Sequence, residues 1–351
     1  MSSGGDSQQI VSVQYLRAFA AIGVVLHHSL GPTFINRGLA APDSIGEAGV
    51  DLFFVISGFI MWLTTRRREA SPKAFLYHRL IRIVPLYWIF TFVFLAIKVA
   101  GKHVEPVSLE DLARSLFFIP VYNASLFQKT SAFYFLGWTL MYEMFFYGVF
   151  ATVLLLPRRM QFVAITTSLL FLSGLGSVFL FDRGMSFTYT SPLLLEFATG
   201  CAIGKLYEKQ LCPSHFVGCI LLLFGTLALF ITSWNIPENL YQRTILWGLP
   251  CALIVFGALS LEDVARRSPS VTLLLLGNAS YSIYLSHIIF LLIFNLAIQK
   301  MELFDDMRIL VAIYLVVGSA IAVIGGVVVH ELIERPLLRG MRREAPALSR
   351  L

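Results

Sequence analysis

The sequence predicts an all-α polytopic membrane protein with about ten transmembrane helices and both termini in the cytoplasm. Three observations predict it: composition, the length of the apolar runs, and the placement of basic residues. Of 351 residues, 57% are hydrophobic and only 14% are charged, and the mean hydropathy of +0.75 is too high for a soluble globule of this size. The apolar runs approach the roughly 20 residues a helix needs to cross a bilayer, and they lack the ten-residue alternating segments of a barrel. They place spans near 12–31, 47–65, 83–101, 135–156, 161–180, 192–208, 214–233, 244–261, 272–295 and 309–331. An even number of spans puts both termini on one side. With the N-terminus cytoplasmic, 18 of the 27 Lys and Arg residues fall on the cytoplasmic side, as the positive-inside rule requires.

The same reading sets the domain organisation. Residues 1–11 form an N-terminal tail, 12–336 one transmembrane domain, and 337–351 a basic cytoplasmic tail. The first apolar run is expected to remain as a membrane anchor, because Ser2 to Gln9 lacks basic residues and Arg17 interrupts the run. The longest stretch between spans, 102–134, holds an apolar piece from Leu112 to Pro120 suited to the interface, not a second soluble domain. Pro85, Pro192 and Pro250 fall at or just inside spans, where each starts or bends a helix. The net charge of +6 sits at helix ends and reports topology, so no nucleic-acid partner is expected; the partner is the lipid bilayer. Cys201, Cys212, Cys219 and Cys251 include no metal-type pair, so neither a disulfide framework nor a metal site is expected.

Chemistry is concentrated in ionisable residues inside these apolar runs, which mark functional sites by default. In the first span Arg17 and His28 are eleven positions apart, three turns plus about 20°, so both leave one face of the helix about 16 Å apart along its axis. A snorkelling Arg and a buried, hydrogen-bonded His remain the plain alternative. His27 points to another side. The second span begins where the first ends, so Asp51, with Glu47 on the same face, is expected at the depth of His28, where a carboxylate would fix an imidazole tautomer. Ser57 and Gly58 favour close helix packing.

Arg79 and Arg82, three apart, present two guanidinium groups to one point, suited to a phosphate-bearing ligand on the cytoplasmic side, although a topology anchor explains them too. In the fourth span, Trp138 precedes Glu143, a carboxylate that must find a partner or a proton inside the membrane. Glu196 raises the same question. The ninth span carries Ser280, Tyr284, Ser286 and His287 on an unusually polar stripe that can bind helices together or line a cavity for a hydroxyl-rich ligand. Glu334 lies near the depth of Arg17 and is expected to pair with it structurally.

Together, Arg17 to His28, the run Gly49-Val-Asp-Leu-Phe-Phe-Val-Ile-Ser-Gly-Phe59, Arg79-Leu-Ile-Arg82 with Pro85-Leu-Tyr-Trp88, Trp138 to Glu143, Ser280 to His287 and Glu334-Arg-Pro336 resemble the acyltransferase 3 family of membrane acyltransferases. The chain is most similar to its exopolysaccharide O-acetyltransferase branch. The resemblance implies a ten-helix domain in the bacterial inner membrane that moves an acetyl group from cytoplasmic acetyl-CoA to a carbohydrate hydroxyl, with no permanently bound cofactor. The family's Arg-x10-His motif falls on Arg17 and His28, and its Arg-x-x-Arg motif on Arg79 and Arg82. His27 stands where relatives often carry an aromatic residue. Some relatives add an extracytoplasmic hydrolase-like domain. No such domain is expected here, so the acceptor is expected to be a lipid-linked oligosaccharide or a nascent polysaccharide that reaches the membrane domain directly.

On this resemblance Arg17, Arg79 and Arg82 are the candidate coenzyme A anchors, and His28, oriented by Asp51, is the candidate base. An acetyl-imidazole intermediate is the other route. Trp138, Glu143, Tyr284 and His287 are candidate substrate contacts, with Tyr284, Ser286, His287 and Trp138 available as oxyanion donors. The competing classes are a transporter or flippase for a polysaccharide precursor, a structural part of an export complex, and an acyltransferase with a small cytoplasmic acceptor.

Overall fold

A computed structural model describes residues 9–35, 45–67, 71–100, 108–122, 130–179, 184–232, 237, 239–301 and 306–344. Residues 1–8 of the predicted N-terminal tail and 345–351 of the C-terminal one therefore lie outside the described residues. Among the described residues the architecture is all-α and membrane-type, apart from one antiparallel ladder of two residues on each side, β1 (Val121–Tyr122) against β2 (Thr130–Ser131).

The first half of the chain supplies α1 (Val11–Ile35), a short 3-10 turn (Ile45–Ala48), α2 (Gly49–Arg67), α3 (Pro72–Ala100), the amphipathic α4 (Leu109–Leu116), α5 (Gly137–Val153) and α6 (Arg158–Phe179). The second half supplies α7 (Gly184–Tyr189), α8 (Leu194–Glu208), α9 (His215–Thr232), α10 (Leu240–Arg243), α11 (Leu249–Ser260), α12 (Glu262–Arg267), α13 (Val271–Met301), α14 (Met307–Ile313), α15 (Ser319–Val329) and α16 (Arg335–Glu344). Three π turns, Thr244–Gly248, Tyr314–Gly318 and His330–Glu334, join α10 to α11, α14 to α15 and α15 to α16. Such turns occur often at functional sites, because they rotate the side chains that follow. Pro85 lies inside α3 and Pro250 in the first turn of α11.

Among the described residues, seven stretches are long and apolar enough to cross a membrane: 46–66, 72–100, 158–179, 215–232, 240–260, 271–300 and 308–341. The three other expected spans fall on α1, α5 and α8. Helices α5 and α8 have only 17 and 15 residues, and α1, with 25 residues, carries Arg17 and two His in its apolar run. These three helices lie inside the bundle: α1 packs against α13, α2 against α8, and α5 between α3 and α6. Polarity is tolerated there because neighbouring helices, not lipid, receive the polar groups.

Helix α9 shows the opposite face of the rule. Phe216, Leu223, Phe224, Phe230 and Ile231 are each more than half exposed, as a lipid-facing helix in a bilayer would be. Small residues set the inner contacts. A Cβ at Gly58 would stand 2.1 Å from the Phe197 carbonyl oxygen, and one at Gly200 2.1 Å from that of Val55. Helices α2 and α8 therefore cross backbone to backbone, the packing role expected of Gly58.

Candidate active site

Helix α1 begins against a carboxylate. Glu262 accepts hydrogen bonds from the backbone N–H of Val11 (2.9 Å) and Ser12 (2.8 Å) and from the Ser12 hydroxyl (2.6 Å). This satisfies the open amides of the first turn and fixes the helix that carries Arg17 and His28.

One turn further in, Arg17 is buried and donates to Ser280 Oγ (2.9 Å) and Gln14 Oε1 (3.4 Å). It lines a cavity of about 80 Å3 together with Arg79, Arg82, Glu143, Tyr147 and Tyr284. Helices α1 and α3 thus bring three guanidinium groups to one cavity that α5 and α13 help to line, the convergence expected of Arg17, Arg79 and Arg82. Glu143 has the partners its depth demands, accepting from Ser57 Oγ at 2.8 Å and from the Tyr147 hydroxyl. With three cations and one carboxylate on the wall, the cavity favours an anionic ligand. Tyr284 closes it from α13, its hydroxyl 2.9 Å from Thr139 Oγ1 and donating to the Leu136 carbonyl at 3.2 Å.

His28 does not line this cavity. Its ring lies beside that of His287, with centroids 5.0 Å apart and His287 Nε2 3.3 Å from His28 Nδ1. His28 Nδ1 also meets the Val24 carbonyl at 2.9 Å, and the His27 ring stands edge-on at 4.8 Å. His287 is fully buried, and its ring centroid is 6.0 Å from that of Tyr284. Tyr284 therefore links the cavity wall to the histidine pair.

Asp51 does not orient His28. Both of its carboxylate oxygens are held by the buried Arg243, which donates from Nε to Oδ1 (3.1 Å) and from Nη2 to Oδ2 (2.8 Å), while Nη1 donates to Glu47 (2.5 Å). A bidentate guanidinium is the stronger partner for a buried carboxylate, because it returns the charge that desolvation removes. Glu47, one turn before Asp51, lies close enough to His27 and His28 to interact with both electrostatically. Trp138 belongs to this cluster and not to the cavity: Arg243 lies over its ring at 5.8 Å and over that of Trp247 at 4.9 Å. Glu196 brings a buried carboxyl against Asp51.

The expected pairing of Glu334 with Arg17 is not formed either. The His330–Glu334 π turn sets Glu334 to accept from Ser282 Oγ (2.6 Å) and to meet His330 Nδ1 (2.6 Å). The sequence reading missed Arg243. Its signal is an Arg at the mouth of the apolar run 244–261.

The chain matches the Acyltransferase domain of the acyltransferase 3 family across residues 10–331. It is 38% identical over 300 residues to the exopolysaccharide production protein ExoZ of Rhizobium meliloti (strain 1021), covering 84% of this chain and 90% of that one. It is 26% identical over 262 residues to the putative membrane-bound transacylase BcsY of Komagataeibacter xylinus, covering 69% of this chain and 65% of that one. No solved structure matches the chain. A match spanning every helix from α1 to α15, including the arginine cavity and the histidine pair, makes this chain an integral membrane acyltransferase of the acyltransferase 3 family.

Proposed function

We propose that the chain is an O-acetyltransferase of the bacterial inner membrane that takes acetyl from cytoplasmic acetyl-CoA and delivers it to a hydroxyl of an exopolysaccharide or lipid-linked oligosaccharide. The observation that carries this reading is the convergence of Arg17, Arg79 and Arg82 on one cavity, with an imidazole further along the helix that bears Arg17. The likeness to ExoZ supports a polysaccharide acceptor. In this reading α1, α5 and α8 complete ten crossings, and both termini are cytoplasmic.

The phosphates of coenzyme A sit against the three guanidinium groups, and the pantetheine arm runs past Tyr284 toward His28. His28 takes the proton from the sugar hydroxyl as its oxygen attacks the thioester carbonyl. The C–O bond forms, the C–S bond breaks, and the departing thiolate receives that proton from His28. A positioned base of this kind contributes about 10²–10⁴-fold. No coenzyme is held between turnovers.

The test is transfer of label from radioactive acetyl-CoA to polysaccharide by membranes that contain the chain. Arg79→Ala and Arg82→Ala are each expected to raise KM for acetyl-CoA about 10- to 100-fold, the effect of losing one charged hydrogen bond. His28→Ala is expected to abolish transfer with the protein still inserted. Membranes that carry no label onto polysaccharide, or a His28→Ala chain as active as the parent, would sink the reading. Movement of unacetylated precursor across the membrane in the same assay would put a flippase in its place.

A further inference from the structure

The hydrogen bonds around the two histidines leave little freedom in where their protons sit. His287 Nδ1 faces two carbonyl oxygens, Tyr284 at 2.6 Å and Ile283 at 3.2 Å. A carbonyl only accepts, so His287 Nδ1 carries the hydrogen and, in the neutral ring, Nε2 holds the lone pair. His28 Nδ1 then faces two acceptors, the Val24 carbonyl at 2.9 Å and His287 Nε2 at 3.3 Å. It too must carry its hydrogen, which leaves the basic lone pair on His28 Nε2. The reverse assignment would set the lone pair of His28 Nδ1 against that of the Val24 carbonyl.

We infer that His287 is a positioning residue: it accepts the His28 Nδ1 hydrogen and thereby presents His28 Nε2 as the base that deprotonates the acceptor hydroxyl. The inference rests on the proposed acetyl transfer and deepens it. It gives His287 the orienting task for which a carboxylate was expected, now that Arg243 holds Asp51. In general-base sites the group behind the imidazole selects the tautomer and stabilises the imidazolium that forms. A second neutral imidazole does this without a fixed negative charge. Its own far nitrogen is anchored on the backbone of α13, so α1 and α13, which pack side by side, hold the base between them.

The proton path balances without further groups. The hydroxyl hydrogen moves to His28 Nε2 while the Nδ1 hydrogen stays shared between Val24 and His287. The same proton then passes from Nε2 to the thiolate of coenzyme A.

The experiment compares His287→Leu and His287→Gln with the parent and with His28→Ala, measuring kcat and KM for labelled acetyl-CoA in membranes. Leu keeps bulk and removes the acceptor, while the Gln side-chain oxygen can stand near the position of Nε2. The expected result is a fall in kcat of roughly 10- to 100-fold for His287→Leu, less than the 10²–10⁴ of the base itself, with KM unchanged. In His287→Gln most of the rate is expected to return. The inference is overturned if His287→Leu turns over at the parental rate, if Leu and Gln fall equally, or if KM rises with the loss, which would mark a packing role. If His28→Ala itself transfers acetyl normally, it is the base reading of His28 that fails, and the His287 variants then report on packing alone.

Discussion

Arg243 shows how a single buried cation organises the end of the bundle near His28. It is fully buried and answers two carboxylates, Asp51 at 2.8 Å and Glu47 at 2.5 Å. Taking one partner from such a cluster leaves charge stranded in low dielectric and costs about 3–5 kcal/mol. Arg243→Ala is therefore expected to lower the thermal midpoint in detergent steeply, and Asp51→Asn in the same chain is expected to restore part of it. Equal midpoints for the parent and Arg243→Ala would show the cluster to be solvated. Legibility at this scale depended on what each residue could reveal alone. Arg17 and Glu143 stand out as charges that lipid cannot accept, Arg79 and Arg82 as two guanidinium groups three positions apart, and all four meet at the cavity. The partner of Asp51 did not stand out. A carboxylate attracts whichever cation the tertiary fold delivers, and Arg243, 192 residues away, is not foretold by spacing along a helix. His287 was visible as part of a polar stripe, but its contact with His28 depends on how α1 and α13 are rotated against each other.

At the scale of elements, burial and lipid exposure divide the helices cleanly. Length and hydropathy foretold the apolar ones, α3, α6 and α9, since lipid selects side chains one residue at a time. For α1, α5 and α8 the sequence showed the segment but not why it could be short or polar. The reason lies in neighbours that bury them, and in the absence of a side chain at Gly58 and Gly200. Alanine at either glycine would drive a methyl group to 2.1 Å from a backbone oxygen, so α2 and α8 would have to separate. Gly58→Ala and Gly200→Ala are each expected to cost about 1–3 kcal/mol, the usual penalty of overpacking. Gly148→Ala, where no atom lies within 4 Å, is expected to be neutral or slightly stabilising through helix propensity. Thermal unfolding of the three variants in detergent checks this, and a Gly58→Ala midpoint matching that of Gly148→Ala would refute the close crossing.

At the scale of the whole molecule, the proposed transfer from a donor on one side of the membrane to an acceptor on the other requires an orientation, and the charge pattern predicts one. With ten crossings and cytoplasmic termini, the loop between α8 and α9 is cytoplasmic and α4 is extracytoplasmic. Cys212 is half-buried in the first of these, between Lys209 and His215, while Leu109 on α4 is 77% exposed. Burial raises the Cys212 thiol above its ordinary value. Because the thiolate is the reactive form, its labelling grows with pH and is best read near pH 8.5. A membrane-impermeant maleimide is expected to reach Cys212 in inside-out vesicles and not in intact cells, a signal that Cys212→Ser removes. A cysteine introduced by Leu109→Cys is expected to label in intact cells. Reversal of both signals would put the termini outside and turn the arginine cavity away from the cytoplasmic pool of acetyl-CoA, while labelling of both positions from one side would remove a crossing between α4 and α9. In the expected orientation, Arg79 and Arg82, near the start of α3, face the compartment of the proposed donor, and His28, three turns beyond Arg17, is carried toward that of the proposed acceptor.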